Sequence, residues 1–151
     1  MKSKRTFITL CISFLLLSTS VFAQESSTLE KLMNKEWYFD YEGSQGIEPN
    51  KGKIFGTEKI TYFTDYSEGR KIYYGYFYLS DTIETTFDES KLGKNVNGKY
   101  IINPITIVDK NGKETKTAGV CEILELTETK LVIQNVKHKA AAWSKLTYRT
   151  R

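Results

Sequence analysis

The run Lys71-Ile72-Tyr73-Tyr74-Gly75-Tyr76-Phe77-Tyr78-Leu79 decides how the chain is read. Seven of its nine residues are aromatic, β-branched or Leu, the kinds that favour a pleated backbone, so it reads as a strand. At period two, Ile72, Tyr74, Tyr76 and Tyr78 share one face, and Tyr73, Phe77 and Leu79 share the other with Gly75. Neither is a plain solvent face. Such a strand calls for a packed core on one side and a second layer, a ligand or a partner on the other, with Gly75 permitting a bend or a close backbone approach.

Toward the N-terminus, residues 65–70 turn the chain into a preceding strand at 58–64, where Ile60 and Tyr62 oppose Thr61 and Phe63. Residues 43–53, with three glycines and Pro49, read as a loop of about eleven residues, long beside the usual four to six. Before that loop, Trp37, Phe39 and Tyr41 alternate with Glu36, Tyr38, Asp40 and Glu42, which predicts a first strand with one aromatic face. Ser27 and Glu30 have the spacing of a capping box, and Leu29, Leu32 and Met33 follow at helical spacing. A helix that short must dock to survive, either as a plug finishing the core or as a lid over a ligand mouth.

The first 23 residues read as a secretory leader: Lys2, Lys4 and Arg5 precede an apolar run at 7–17, and Val21-Phe22-Ala23 supplies the small residues of a cleavage site. The apolar run is about half the roughly 20 residues of a membrane span, so cleavage after Ala23 is expected rather than a stable anchor. Without that segment and its three basic side chains, 128 of the 151 residues remain, with 19 of the 22 basic side chains against 18 acidic ones. A net charge of about +1 gives no strong field for nucleic acid or an anionic membrane. Residues 24–151 suit one domain, and Cys121 is its single cysteine, so no internal disulfide staples it.

Toward the C-terminus, Ser80 and Asp81 turn the chain into a predicted strand at 82–87, followed by a polar loop at 88–98. Asn97-Gly98 and Asn111-Gly112 are both hairpin signals, because each pair tolerates the positive φ of a tight turn. They punctuate strands at 99–102, 105–108 and 114–126, the last with Val120, Glu122, Leu124 and Leu126 on one face and Cys121 and Ile123 on the other. Strands at 131–136 and 143–150 close the chain. The expectation is all-β: an antiparallel up-and-down barrel of about 8–9 strands with a short N-terminal helix, although a flattened sandwich reads alike.

This order of elements, with Trp37 on the first strand and Ile123-Leu124-Glu125-Leu126-Thr127 ahead of Lys130-Leu131-Val132-Ile133 near the end, resembles small bacterial secreted lipocalin-like domains of the calycin group. The resemblance spans residues 28–149. Lipocalins open on Gly-x-Trp, and here Lys35 takes the place of that Gly, so only the Trp matches. The resemblance further implies a basic residue from the last strand over the Trp, with Arg149 and Arg151 as candidates, and leaves the activity open.

Three readings of the tyrosine stripe stay open. Facing into a barrel, the phenols line a cavity for one small ligand; facing out, they form a docking surface; packed, they are core. Trp37 and Trp143 read as barrel-end packing. His138, the sole histidine, stands among Lys137 and Lys139 as an exposed loop residue, and Cys121 lies in an apolar strand where its thiolate is disfavoured. Asp88 and Glu89 form an acidic loop pair of the kind that is usually just solvated, and a single histidine and cysteine make no zinc site. The expected function is therefore an exported binding protein that holds a small apolar or aromatic molecule between Trp37, Phe39, Tyr74, Tyr76 and Tyr78, with no cofactor, metal or nucleic acid. The alternative is a protein-interaction module, an inhibitor or envelope-complex subunit, that presents loops 43–53 and 88–98.

Overall fold

The computed structural model describes residues 26–41 and 50–151. The predicted leader, its cleavage site and most of the predicted loop at 43–53 lie outside the described residues. Ser27 opens helix α1 (Thr28–Leu32) with the expected capping box: its hydroxyl accepts from the Glu30 N–H at 3.2 Å, and the Glu30 carboxylate accepts from the Ser27 N–H at 2.8 Å. Leu29 and Leu32 are buried, so α1 is a plug.

Nine strands follow: β1 (Trp37–Phe39), β2 (Asn50–Phe55), β3 (Lys59–Tyr66), β4 (Gly69–Tyr76), β5 (Tyr78–Ser80), β6 (Tyr100–Val108), β7 (Glu114–Leu126), β8 (Lys130–Asn135) and β9 (Lys145–Arg149). They form one antiparallel sheet in the order β4-β3-β2-β1-β9-β8-β7-β6-β5. The all-β, up-and-down character and the strand number are as expected. The closed barrel is not: among the described residues no ladder joins β4 to β5, the two ends of the order. The cause lies in the aromatic run itself. The chain passes from β4 to β5 through Phe77 alone, whose N–H is taken by the Glu58 carbonyl at 2.9 Å and whose ring packs 5.3 Å from that of Phe55. One continuous stretch thus supplies both edges of the sheet, its first half paired with β3 and its second with β6.

Four further expectations are corrected. Residues 50–53 are the start of β2 rather than loop, with Lys53 opposite both Trp37 and Tyr62. The predicted strand at 82–87 is irregular; it lies over the outer face of β5–β7, where Phe87 packs 5.2 Å from the Tyr78 ring and the Thr85 carbonyl accepts from Ala118 N–H and Thr117 Oγ1. Asn97-Gly98 does not turn a hairpin. The Asn97 side chain accepts from the Thr28 N–H, and Gly98 presses so close to β5 that a Cβ would stand 2.6 Å from the Ser80 nitrogen. The stretches at 99–102 and 105–108 are one strand, β6, with Pro104 beyond the reach of the short β5, where its missing N–H leaves no gap in a ladder. The Asn111-Gly112 hairpin forms as predicted, Gly112 at φ +80° and the loop closed by Asp109 and Lys113.

Candidate ligand-binding cavity

One face of the sheet, the inner face, is packed solid at the α1 end and hollow at the other. At the α1 end Leu32, Trp37, Phe55, Ile60, Phe77 and Leu79 are at most 1% exposed, and the Trp37 indole N–H donates to the Leu32 carbonyl at 2.8 Å. Because side chains repeat a face every second residue, Lys53 lies one step above Phe55 and Tyr62 one step above Ile60, directly opposite each other in the β2–β3 register. Two hollows begin there. One, of about 400 Å³, is lined by Phe39, Lys53, Tyr62, Tyr73 and Tyr148 among others. The second, of about 310 Å³, is bounded by Asn103, Ile105, Cys121 and Ile133. Lys53, Tyr62 and Leu146 belong to both.

Lys53 is 9% exposed, and among the described residues no carboxylate or hydrogen-bond acceptor meets its ammonium. Its Nζ lies instead 4.4 Å from the Tyr148 ring centroid, 5.6 Å from Tyr62 and 5.9 Å from Phe55. Such contacts contribute about 0.5–2 kcal/mol each, against an effective cost of several kcal/mol for removing an ammonium from water. The rings do not cover the deficit, and burial pushes the Lys53 pKa down, with Tyr62, Cys121 and Tyr73 acting weakly the other way. Burial also raises the Tyr62, Tyr148 and Cys121 pKa values, leaving a site of neutral phenols and a neutral thiol around one amine. The Tyr62 hydroxyl accepts from Asn103 Nδ2 at 3.5 Å, and its ring stacks on Tyr73 at 4.8 Å. Gly75 makes room for that ring: a Cβ there would sit 3.1 Å from Tyr62 Cε2.

Of the five residues expected to bind ligand, the structure does not make one site. Phe39 lines the larger hollow. Trp37 belongs to the packed floor. Tyr74 and Tyr76 point outward, 65% and 45% exposed, and Tyr78 also points outward but is buried under residues 81–98 with Ile102 and Val120. Lys53 was missed because residues 50–53 read as loop, and the parity it shares with Phe55 is the signal that would have found it; Tyr62 and Tyr148 lay on predicted strands, but only the pairing of those strands sets them beside Lys53.

Other sequence candidates stand apart from the cavity. His138 is exposed, its ring 4.9 Å from that of Trp143, which is itself exposed rather than packed into a barrel end. Asp88 caps the short turn at Glu89–Lys91, accepting from the Ser90 N–H at 3.0 Å. The cation over Trp37 is neither Arg149 nor Arg151 but Lys35, 5.7 Å from the ring and paired with Glu128. Arg151 stacks 3.9 Å over Tyr38, and Arg149 pairs with Asp40 at 2.6 Å. A polar groove of about 470 Å³ runs between Lys35, Glu36, Tyr38, Glu128 and Arg151, but its charges already meet partners: Glu36 holds Arg70 at 2.6 Å and Arg151 reaches Asn50. Among the described residues no three His, Cys, Asp or Glu side chains gather as a metal site would require, and no helix is long and apolar enough to cross a membrane. Comparison of the chain with known protein families, with curated proteins and with solved structures finds no match.

Proposed function

We propose that the protein is an exported binding protein that holds one small apolar or aromatic molecule on the inner face of its sheet, in a lipocalin-like barrel bridged by chain at Phe77 rather than by a ninth ladder. The observation that carries this reading is the pair of hollows, about 400 and 310 Å³, that share Lys53, Tyr62 and Leu146. Sites of roughly 300–1,000 Å³ with aromatic walls and few polar groups are typical of small-ligand pockets. Export is inferred from the basic, apolar and small-residue pattern of residues 1–23.

N-phenyl-1-naphthylamine, an uncharged dye that fluoresces when removed from water, tests the reading. It should bind one per chain and slow the modification of Cys121, which lines the smaller hollow, by methyl methanethiosulfonate. Leu146→Trp, which fills the wall common to both hollows, should abolish the signal with the circular-dichroism spectrum unchanged. Absence of dye binding to the unaltered protein rejects the cavity.

The outward stripe favours a second reading, a protein-interaction module, since Ile72, Tyr74 and Tyr76 stand exposed along the edge strand β4. Tyr74→Glu should then release an envelope protein that co-purifies with the chain while leaving dye binding intact; unchanged co-purification removes this reading.

A further inference from the structure

Resting on the cavity reading, we propose that Lys53 sets the class of ligand: the site takes the ionised acid of a flat or apolar molecule, with its carboxylate on the Lys53 ammonium and its body between Phe39, Tyr62, Tyr148 and Leu146. Lys53 is nine-tenths buried, lines both hollows and has no hydrogen-bond acceptor among the described residues. Four other acids near the sheet are already matched: Glu36 and Asp65 to Arg70, Asp40 to Arg149, and Glu122 to Lys99 and Lys139. Among the described residues Lys53 is thus the cation common to both hollows, and it is left without an anion.

A second donor stands beside it. The Tyr62 hydroxyl accepts from Asn103, so its own proton is directed elsewhere, toward a ligand oxygen in the space it lines. Two donors, one of them cationic, match the two oxygens of a carboxylate in water-poor surroundings. An uncharged ligand leaves the ammonium as poorly matched as before, and a cationic ligand is repelled by it. The remaining titratable groups around Lys53 are Tyr62, Tyr73, Tyr148 and Cys121, with Lys51 at the rim two residues along β2.

The test is competition for bound N-phenyl-1-naphthylamine by 2-naphthoate and by 2-naphthamide, which share size and shape and differ in charge. At pH 7 the carboxylate should displace the dye at a concentration at least about tenfold lower than the amide, the scale of one charge-assisted hydrogen bond. Lys53→Met should reduce that ratio to about one, read against the variant's own dye affinity; Lys113→Met, at the turn that Asp109 and Lys113 close and outside both hollows, should leave it in place. The ratio should also fall as the pH is raised toward the ordinary lysine range, because a neutral amine does not hold a carboxylate. Equal displacement by the two competitors in the unaltered protein overturns the proposal and leaves the cavity standing, as does a preference that survives Lys53→Met. Failure of the dye itself to bind overturns both.

Discussion

A lysine two positions from a buried phenylalanine, on the same face of one strand, is an expensive residue, and its substitution has a predictable direction. Lys53→Met keeps the length and removes the charge, and it should stabilise the ligand-free protein by about 1–4 kcal/mol in urea unfolding. The pH dependence gives an independent sign. The folded-state pKa of Lys53 is lowered, so between that value and the ordinary 10.5 the unfolded chain binds the extra proton, and stability rises with pH across the window. Below it the cost is fully present. The difference between the unaltered protein and Lys53→Met should therefore shrink as pH climbs from 7 toward 10; a constant difference would mean that the amine does not titrate differently on folding. Glu122 works in the opposite sense. Held down to about 2 by Lys139 and Lys99, it contributes stability above the ordinary carboxylate range that is lost as pH falls from about 4.5 toward 2, and Glu122→Gln should flatten that part of the acid unfolding curve.

At the scale of elements, the aromatic run is a single stretch of sequence doing two jobs, and Phe77 is where they meet. Its ring has no exposure, and it lies in the same cluster as Phe55, Leu79 and Leu32. Phe77→Ala should cost about 3–5 kcal/mol and loosen both edges together, read as faster amide exchange in β4 and β5. Gly98 is the other joint. Its Cβ would meet backbone of β5, which cannot swing aside as a flexible side chain does, so Gly98→Ala should cost about 1–3 kcal/mol and free the cover at 81–98 from Tyr78. A substitution at the superficially similar Gly112, where nothing lies within 4 Å, meets only the strain of φ +80°.

For the whole molecule, the sheet has a protected centre and two open edges, and amide exchange should rank accordingly, slowest in β8, which is paired on both sides with β7 and β9, and fastest in β4 and at the 109–112 turn. Uniform protection across the nine strands would mean that the gap between β4 and β5 is sealed in solution. Much of this was legible locally. The Ser27–Glu30 box, the Asn111-Gly112 turn, and the pairing of Cys121 with Ile123 on one face of β7 follow from backbone needs and side-chain period, which a few adjacent residues determine. Other features were not local. Asn97-Gly98 carries the same turn chemistry as Asn111-Gly112 but is spent on contacts with Thr28 and Ser80, residues far away along the chain. Residues 50–53, rich in Lys and Gly, look like loop until β1 and β3 flank them. The sequence by itself determined that the chain is antiparallel β with two aromatic-faced strands, because alternation sorts residues onto two faces. Only the tertiary structure decided which face lies inside and that Lys53 shares it, since period two is blind to sign: the inner side is set by which way the sheet curls and by the distant α1, which packs on it, while 81–98 covers the outer face of β5–β7.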